Sequence, residues 1–362
     1  MSASDDLADF ISDVGLDRSL RVEENLGEGF VRLRVSEAER RQAKQDVRCV
    51  EDAVLELLRN ARDAGARHVF LALSREGDTR TLVMLDDGCG IPDDLRERVF
   101  DARVTSKLDS FRQDRWGVHG RGMALFSVRE NAASSCVSAT VPGRGTAVKV
   151  TFDVTRLPER KDQSSWPAFE VGEDGERRLT RGPHNIIRRC CEFALEEHGS
   201  LDVWVGSPSD VAATLRSKTG LVRGPSELLF VDGLDDLGVL ERFPAAADAT
   251  ELLDAARSVG LEMGERTAHR VCSGQIKPVR SVYATLTRRL DRRGPGVAKP
   301  ADIYREARRL RIDARDASAF SRLMRKDFSY LADRYYLDLM EDPEVRATGG
   351  KVVVTFRVSQ DD

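Results

Sequence analysis

The stretch that decides the fold is residues 56–66, Glu-Leu-Leu-Arg-Asn-Ala-Arg-Asp-Ala-Gly-Ala, which is followed by residues 86–91, Asp-Asp-Gly-Cys-Gly-Ile. On a helix that advances roughly 100° per residue, Glu56, Asn60 and Asp63 lie on one stripe. The apolar residues lie on another side and can face a core: Val50, Val54, Leu57, Leu58 and Ala61. The sequence therefore predicts a helix that is packed on one face and carries polar groups on another.

The spacing of Glu56 and Asn60 has a chemical use, because these residues are one helical turn apart. An amide oxygen at 60 can ligate a hard Mg²⁺ ion, while a carboxylate at 56 can orient or deprotonate a water beside the same phosphate. The alternative is the solvated face of an ordinary amphipathic helix. The spacing alone leaves both interpretations open.

Two β-rich runs, residues 68–73 and 81–85, follow the helix and end at Asp86 and a turn whose glycines allow a ligand to approach closely. A buried Asp at a strand end can accept a hydrogen bond from an exocyclic amine. We therefore predict that Asp86 contacts adenine and that Gly88 and Gly90 leave room for the ring. An ordinary Asp-Gly turn has the same residue types.

Three glycines, Gly117, Gly120 and Gly122, precede an apolar helical run. Free backbone N–H groups and the positive end of a helix form an anion site there. A Rossmann dinucleotide site is rejected because residues 108–116 are polar and lack the strand that must precede its glycines. Thr146, in the turn before another strand, can add a hydroxyl contact to phosphate.

In this order the four segments resemble the GHKL ATPases, which include type II topoisomerase ATPase subunits, MutL proteins, heat-shock-90 chaperones and histidine kinases. Residues 46–153 carry the resemblance, and Val99-Phe100 and Thr105-Ser106-Lys107 make it most similar to the MutL and topoisomerase VI B branch. Histidine kinases fit less well, since they usually lack the carboxylate four positions before the Asn. They also need a phospho-accepting His upstream, and this chain has no His before His68.

The resemblance implies a Bergerat fold of the α+β class, with helices packed on one face of a mixed, mainly antiparallel sheet. It implies ATP and Mg²⁺ as ligands. Glu56 would be the general base, Asn60 the Mg²⁺ ligand and Asp86 the adenine partner, with Asp63 and Thr146 in support. Gly88 and Gly90 would line the base pocket, Gly117, Gly120 and Gly122 would wrap the triphosphate, and Lys107 to Arg121 would form a lid.

Two positions depart from the pattern of these relatives. Asp87 stands where Asn is more usual, and Met123 stands where MutL proteins tend to carry Glu. Neither change removes a group that the chemistry needs, so the resemblance implies slow, active hydrolysis coupled to closure of a homodimer. Residues 1–45 would form an N-terminal arm that can cross to the partner subunit.

Composition indicates an ordered, soluble protein, because 33% of the 362 residues are charged and no low-complexity tract is present. No leader is visible, and no apolar run approaches the ~18 residues of a membrane span. We therefore expect a cytoplasmic protein with no membrane partner. The six cysteines are scattered and include no CxxC, which favours a reducing compartment over a disulfide framework or a zinc site.

Changes in composition predict several domains. Residues 46–155 form the ATPase-like domain, and the polar, turn-rich composition of 156–184 predicts a linker or hairpin. Residues 185–262 contain a helical and a strand pattern, which predicts a small α/β region. Residues 263–362 form a basic, mainly helical region.

The charge of the later region differs from that of the rest. Residues 266–326 contain 17 Arg and Lys against 5 Asp and Glu, a balance of +12 in a chain whose net charge is −4, so the remainder sums to −16. Such asymmetry is typical of a site for a polyanion such as DNA. A solvated pair of basic helices would have the same composition.

Helical patterns at 281–292, 301–310 and 316–325, with a strand at 351–358, favour a winged helix-turn-helix. In it Ile303, Leu310, Phe320 and Leu323 would pack inside. The residues predicted to face phosphate are Arg305, Arg308, Arg309, Arg311, Arg315, Arg322, Arg325 and Lys326.

Gln275-Ile276-Lys277 resembles the loop from which MutL and topoisomerase relatives send a lysine to the γ-phosphate. Lys277 is therefore a candidate switch residue. A basic surface helix explains it equally well.

Two classes of function follow. The first is an ATP-driven, dimerising clamp associated with DNA, as in repair or topoisomerase ATPase subunits. Because the sequence shows neither a nuclease metal cluster nor a recognisable topoisomerase tyrosine, any cutting would need a separate effector or nuclease subunit. The alternative is a protein-directed ATP switch, either chaperone-like or a protein kinase of the same fold, with no nucleic-acid role.

Overall fold

The computed structural model describes residues 22–105, 112–114, 117–119, 122–171, 177–218, 233–291, 314–335, 337–348 and 351–360. The chain divides into two compact units, Met1–Arg293 and Gly294–Asp362. Each unit is described by itself. Within the described ranges, no helix combines the length and the apolar character that a membrane crossing needs.

The helix predicted around Glu56 spans Val50–Asp63 (α2) and follows a shorter helix, Glu37–Asp46 (α1). Ser36 caps α1: its hydroxyl accepts from the backbone N–H of Glu39, whose carboxylate accepts from the backbone N–H of Ser36. The apolar face of α2 is buried, with Val50, Val54 and Leu58 each 0% exposed. The polar stripe is thereby fixed on the side away from the core.

The central sheet contains strands His68–Glu76 (β3), Thr79–Asp86 (β4), Ser134–Thr140 (β8), Thr146–Asp153 (β9) and Asp202–Gly206 (β12). Their spatial order is β12-β3-β4-β9-β8. The pairs within β3-β4-β9-β8 are antiparallel, and β12 lies parallel to β3. The predicted mixed, mainly antiparallel sheet is confirmed.

Alternating residues of β4 point to two hydrophobic cores, as the period of a strand requires. Leu82 and Met84 belong to a first core with α2 and the helices Ala124–Asn131 (α3) and Ile186–Glu196 (α4). Val83 and Leu85 belong to a second core on the other face. The helices before residue 155 therefore lie on one face, as predicted.

The second face is covered by four later helices: Pro208–Arg216 (α5), Arg242–Ala245 (α6), Ala249–Ser258 (α7) and Glu265–Cys272 (α8). A further helix, Val282–Asp291 (α9), returns to the first core through Val282 and Leu286. Together with β12, these elements complete the sheet's hydrophobic layers. The structure thus differs from the predicted separation of residues 185–262 and places the unit boundary after residue 293, not at 263.

The segment predicted as a linker or hairpin contains an antiparallel hairpin, Phe169–Val171 (β10) with Arg177–Leu179 (β11). Its Phe169 is 3% exposed and belongs to the first core. The segment is therefore packed against the sheet's helices, and a freely exposed linker is not what the structure shows.

The described part of the N-terminal arm pairs with its own chain. Strands Val22–Gly27 (β1) and Phe30–Leu33 (β2) form an antiparallel hairpin, and β2 also pairs with Val104–Thr105 (β5). Two short strands, Arg112–Asp114 (β6) and Gly117–His119 (β7), pair antiparallel further along. The arm is therefore connected to the strand that precedes the glycine segment.

In the second unit the helical pattern at 316–325 is part of a longer helix, Ala314–Tyr335 (α10). The predicted strand at 351–358 is two strands, Lys351–Thr355 (β15) and Val358–Gln360 (β16), which pair with Glu344–Thr348 (β14) and Leu337–Leu339 (β13) respectively. The predicted helix 301–310 lies outside the described residues.

The core predicted for this second unit needs a correction. Phe320 and Leu323, expected inside, are 38% and 58% exposed. The face of α10 that packs instead carries Ser321, whose hydroxyl donates to the Pro343 carbonyl, and Phe328, which stacks on Phe356 at 5.0 Å. Residues 321 and 328 are two turns apart, so the packed stripe is rotated relative to the predicted one.

Candidate functional site

A cavity of about 540 Å³ lies against α2 and the ends of β4 and β9, on the first face of the sheet. It is lined by residues from each segment that the sequence singled out. The predicted site residues among its lining are Glu56, Asn60, Asp63, Asp86, Gly90, Gly122 and Thr146. Segments far apart in the chain thus converge on one concave site, the usual form of a small-molecule pocket.

The polar stripe of α2 forms part of the cavity wall, which is called the α2 end. Arg59 Nη1 donates to Glu56 Oε1 at 2.7 Å, and the two side chains are 7% and 20% exposed. The neighbouring Asn60 has a buried Nδ2 that makes no hydrogen bond. The Asn60 Nδ2 group is therefore not engaged in a structural hydrogen bond. Asn60 lines the cavity one helical turn from the Glu56 carboxylate.

Arg59 also lines the cavity and was missed in the sequence. The signal was present, because Glu56 and Arg59 have the i, i+3 spacing that brings opposite charges together on a helix. Asp63 lies one turn further on and pairs with Arg62, whose Nε is 3.3 Å from Asp63 Oδ1. Arg62 Nη1 also donates to Glu197 at 2.9 Å, so this end of α2 is tied to the end of α4.

Asp86, the last residue of β4, forms another part of the wall, which is called the Asp86 end. Asp86 is 6% exposed, and its Oδ1 accepts from the backbone N–H of Gly88 at 2.8 Å. Burial, helped by the neighbouring charge of Asp87 and opposed by backbone hydrogen bonds from Gly88 and Thr146, raises the pKa of this carboxyl to about 7. A buried carboxyl thus points at the cavity from a strand end.

The turn after Asp86 is built from close backbone contacts that only glycine permits. Gly90 has φ +74°, and a Cβ there would lie 2.4 Å from the Val141 carbonyl oxygen. A Cβ at Gly88 would lie 2.8 Å from the Ala64 Cβ, so Gly88 packs against the end of α2 and does not itself line the cavity. Gly145, φ +104°, approaches closest: its Cβ would be 2.1 Å from the Asp86 carbonyl oxygen. The sequence indicated only a hairpin turn at Gly145.

Hydrogen bonds fix this turn from three sides. The backbone N–H of Cys89 donates to the Ala64 carbonyl at 2.9 Å, and the N–H of Gly143 donates to the Cys89 carbonyl at 2.7 Å. Thr140 Oγ1 accepts from the Ile91 N–H at 2.7 Å. The turn is therefore held in place before any ligand binds.

The glycine segment is described only in part. Gly117 lies in β7 and pairs with Asp114, and Gly122 lies at the edge of the cavity directly before α3. The predicted helical run is α3, and the pair β6-β7 is an antiparallel hairpin, without the βαβ unit of a Rossmann site. Lys107, Gly120 and Arg121 lie outside the described residues.

The N-terminal arm contributes to the cavity through Phe30 of β2 and through Gln42 and Asp46 of α1. Sequence reasoning did not find these residues, because their place depends on tertiary packing. Met84 and Val148 supply an apolar wall, and they lie two residues from Asp86 and Thr146 on the same strand faces. Strand periodicity was the signal that could have identified them.

The structure does not bring Lys277 to this cavity. Lys277 is exposed in the segment after α8, and its neighbours Ile276 and Val279 pack against the second core, on the other face of the sheet. The two sites are therefore separated by the sheet itself.

The predicted nucleic-acid residues lie partly within the described chain. Arg315, Arg322, Arg325 and Lys326 are exposed on α10. Arg325 Nη1 donates to Asp342 at 2.6 Å. Arg305, Arg308, Arg309 and Arg311 lie outside the described residues.

Comparison with known proteins agrees with this geometry. Residues 45–156 match the family model described as histidine kinase-, DNA gyrase B- and HSP90-like ATPase. These bounds nearly coincide with the segment 46–153 that carried the resemblance. The matched part holds α2, the central antiparallel strands and most of the cavity lining.

Three curated relatives match parts of the chain. A DNA mismatch repair protein MutL of Thermus thermophilus is 44% identical over 86 residues, which is 23% of this chain and 15% of the relative. A MutL of Chloroherpeton thalassium is 31% identical over 123 residues, 33% of this chain and 19% of the relative. The sensor histidine kinase DpiB of Escherichia coli is 38% identical over 65 residues, 18% of this chain and 11% of the relative. The chain thus matches less than a fifth of the length of each of these relatives.

Proposed function

We propose that this protein binds ATP in the 540 Å³ cavity and hydrolyses it slowly, because residues 45–156 match the family model described as histidine kinase-, DNA gyrase B- and HSP90-like ATPase. The observation that carries the proposal is the convergence of two sets of groups on one cavity. A carboxylate and an amide, one helical turn apart on α2, line it together with a buried carboxyl that stands before a glycine turn.

The base of ATP would lie at the Asp86 end. An exocyclic amine is a hydrogen-bond donor, and the Asp86 carboxyl is an acceptor that the protein has already removed from bulk water. Met84 and Val148 offer an apolar surface to the ring, and the Thr146 hydroxyl is the polar group beside them.

The triphosphate would lie towards α2 and the start of α3. Glu56 would accept a proton from the attacking water, and its pairing with Arg59 at 2.7 Å holds the carboxylate in one orientation. Gly122, directly before α3, would offer its backbone to phosphate. Because Glu56 is partly exposed, the proton it accepts can leave to solvent.

The residues present fit a magnesium ion. Asn60 lines the cavity, and its buried Nδ2 has no partner, so the amide is free to turn its oxygen to an ion. Carboxylate and amide oxygens with waters and phosphate are the ligands that Mg²⁺ prefers. When bound, the ion would neutralise charge on the phosphates and polarise them.

Release of phosphate from ATP by the wild type and by Glu56→Gln, with Mg²⁺ and with a chelator, tests this proposal. We expect turnover to fall about 100-fold or more on substitution, because a general base contributes on that order. Glu130→Gln is the matched control, since Glu130 lies on the neighbouring α3 and pairs with Lys44. Turnover that survives Glu56→Gln, or that does not need Mg²⁺, would contradict the proposal.

A second candidate is an ATP switch directed at proteins, chaperone-like or a kinase of the same fold. The 38% identity to a sensor histidine kinase over 65 residues favours keeping it. The kinase form of this candidate predicts that labelled γ-phosphate is transferred to a protein side chain and not to water. If acid-labile label appears on a protein and little free phosphate is released, the assigned reaction would be phosphate transfer to protein and not hydrolysis.

We further propose that ATP binding closes a homodimer and that the protein acts on DNA as a clamp or as a repair- or topoisomerase-like ATPase subunit. The support is the +12 balance of residues 266–326 and the similarity to proteins named for DNA mismatch repair. Any DNA cutting is assigned to a separate effector or nuclease subunit. Across the described residues, no three acidic, His or Cys side chains are grouped as a metal site.

DNA binding by the wild type and by Arg322→Gln/Lys326→Gln, measured over a salt series, tests this second step. Removing two cationic side chains that each pair with a DNA phosphate should reduce the salt slope by about 1.8. Arg257→Gln, an exposed arginine of the first unit, is the control. Equal slopes for all three proteins, or an oligomeric state that does not change with ATP, would contradict the proposed DNA clamp. The proposed ATPase activity would be unaffected.

A further inference from the structure

The turn that carries Asp86 has one anchor that no part of the proposed chemistry uses, the side chain of Asp87. Asp87 Oδ1 accepts from the backbone N–H groups of Arg67 and His68, both at 2.8 Å. Asp87 Oδ2 lies 2.6 Å from His68 Nδ1. Both oxygens of the carboxylate are therefore engaged with the start of β3, and Asp87 does not line the cavity.

These bonds continue the sheet beyond its last backbone pair. The register of β3 and β4 ends at Val69 opposite Asp86, so the N–H groups of Arg67 and His68 lie past the ladder. The Asp87 carboxylate accepts from them instead. The strand end that carries Asp86 is thereby fastened to its neighbour at the point where the chain leaves the sheet.

The environment of Asp87 keeps its carboxylate charged. Burial alone would raise the pKa of Asp87, but the hydrogen bonds from the His68 ring and from the two backbone N–H groups hold it below its usual value. The His68 ring is itself packed 5.8 Å from the Trp204 ring of β12. The Asp87–His68 contact is thus packed against β12, the edge strand of the sheet.

We propose that Asp87 is a positioning residue that sets the selectivity of the cavity for adenine over other bases. This inference rests on the proposed ATP-binding function. Asp87 touches no substrate atom and acts by holding the backbone from which the Asp86 carboxyl and the Gly88 N–H project. A recognition group must be held within about 0.5 Å of its working position, so a loosened turn weakens base recognition.

The triphosphate contacts come from other elements, α2 and the residues before α3, and these do not depend on the Asp87 bonds. Loss of the Asp87 hydrogen bonds therefore weakens the binding of ATP more than the binding of ligands without adenine. A role in overall stability alone would weaken the binding of every ligand to the same extent. The ratio of affinities separates the two roles.

The test measures dissociation constants for ATP, GTP and inorganic tripolyphosphate with the full chain. For Asp87→Ala we expect the ATP constant to rise about 10-fold, which corresponds to one well-placed hydrogen bond. The constants for GTP and tripolyphosphate should stay within about 2-fold. Asp87→Asn should keep most of the preference, because its amide oxygen can still accept from both backbone N–H groups.

Asp153→Ala is the matched control. Asp153 is the last residue of β9, at the opposite end of that strand from Thr146, and, like Asp87, it accepts from a backbone N–H, that of Thr155 at 2.9 Å. It should leave the preference for ATP over GTP at the wild-type value. If Asp87→Ala does not fold, His68→Ala is the deciding variant, because it removes the contact of the His68 ring with Asp87 and keeps the backbone N–H bonds. We expect its preference for ATP over GTP to fall about 3-fold.

An equal loss of affinity for all three ligands, or an unchanged ATP preference in both Asp87→Ala and His68→Ala, overturns the inference. If the wild type itself fails to bind ATP, the proposed function fails with it, and that outcome is visible before any variant is compared. If the wild type binds and hydrolyses ATP but Asp87 variants keep full selectivity, only the positioning role is lost.

Discussion

At one end of the cavity Asp86 is 6% exposed and is held by backbone contacts, and at the other Glu56 is 20% exposed and is held by the side chain of Arg59. The Asp86 end, which is the proposed base end, uses backbone atoms of the end of α2, of the turn at 86–91 and of the turn at 141–145, whereas the α2 end uses side chains of a single helix. A substitution at the base end must therefore disturb packing, and a substitution on α2 can change chemistry with little change in stability. The two ends should be separable by experiment.

The largest expected effect is at Gly145, where the base end depends on a close backbone approach. Gly145→Ala places a Cβ 2.1 Å from the Asp86 carbonyl oxygen at φ +104°. We expect a loss of about 3 to 5 kcal/mol in unfolding free energy, as for severe overpacking with backbone strain. Urea denaturation without nucleotide measures it.

Gly143→Ala is the control in the same loop, with φ +73° and nothing within 4 Å of the new Cβ. It should cost only about 1 to 2 kcal/mol, the penalty for a left-handed residue. Equal losses for the two variants would mean that the close approach at Gly145 does not hold the base end together.

The next effect is the pH dependence that Asp86 gives to stability. Burial raises its pKa from 3.8 to about 7 in the folded protein. The folded state therefore binds this proton more tightly than the unfolded state. The stability associated with the protonated form is fully present below pH 4 and is lost as pH rises through about 7.

Asp86→Asn removes this titration, so the unfolding free energy of the variant relative to the wild type should rise by about 2 to 4 kcal/mol between pH 4 and pH 8. Denaturation of the nucleotide-free proteins across that range measures it. A flat difference for Asp86→Asn would mean that the carboxyl is not buried as described.

The contrast between the two ends also explains which features the sequence could predict. The stripe of Glu56, Asn60 and Asp63 follows from helical period alone, and the burial of Asp86 follows from its place at the end of an apolar strand. Gly90 was identified because glycine in a turn signals close approach, whereas Gly88, predicted with it, packs against Ala64 and does not line the cavity. These are local patterns, and local patterns are readable in a single sequence.

The remaining features depend on contacts between distant segments. In the sequence Gly145 looks like any turn glycine, because its close approach to Asp86 is a tertiary contact. Gln42 lines the cavity only because α1 packs next to α3. The parallel pairing of β12 with β3 joins residues 202–206 to 68–72, which no local pattern encodes. The prediction that Phe320 and Leu323 pack inside was wrong. The apolar pattern of a helix does not show which of its apolar residues contact the partner strands.

The smallest expected effect is at Arg59, on the side-chain end. Arg59→Gln removes the 2.7 Å ion pair that orients Glu56. We expect phosphate release to fall about 3- to 10-fold, because the carboxylate is misoriented but not removed, with ATP affinity within about 2-fold. Arg59→Lys should recover part of the rate. A loss of ATP affinity with an unchanged rate would assign Arg59 to ligand binding instead.

The most direct measurement determines ATP affinity and single-turnover phosphate release on the same samples of wild type, Glu56→Gln and Asp86→Ala, with folding checked by thermal denaturation. If the two ends are separable, Glu56→Gln keeps ATP affinity within about 3-fold and loses release about 100-fold. Asp86→Ala should lose affinity about 10-fold or more and keep release within about 5-fold at saturating ATP. Loss of both properties in both folded variants, or phosphate release that persists without Glu56, would contradict a cavity with one base-binding end and one catalytic end.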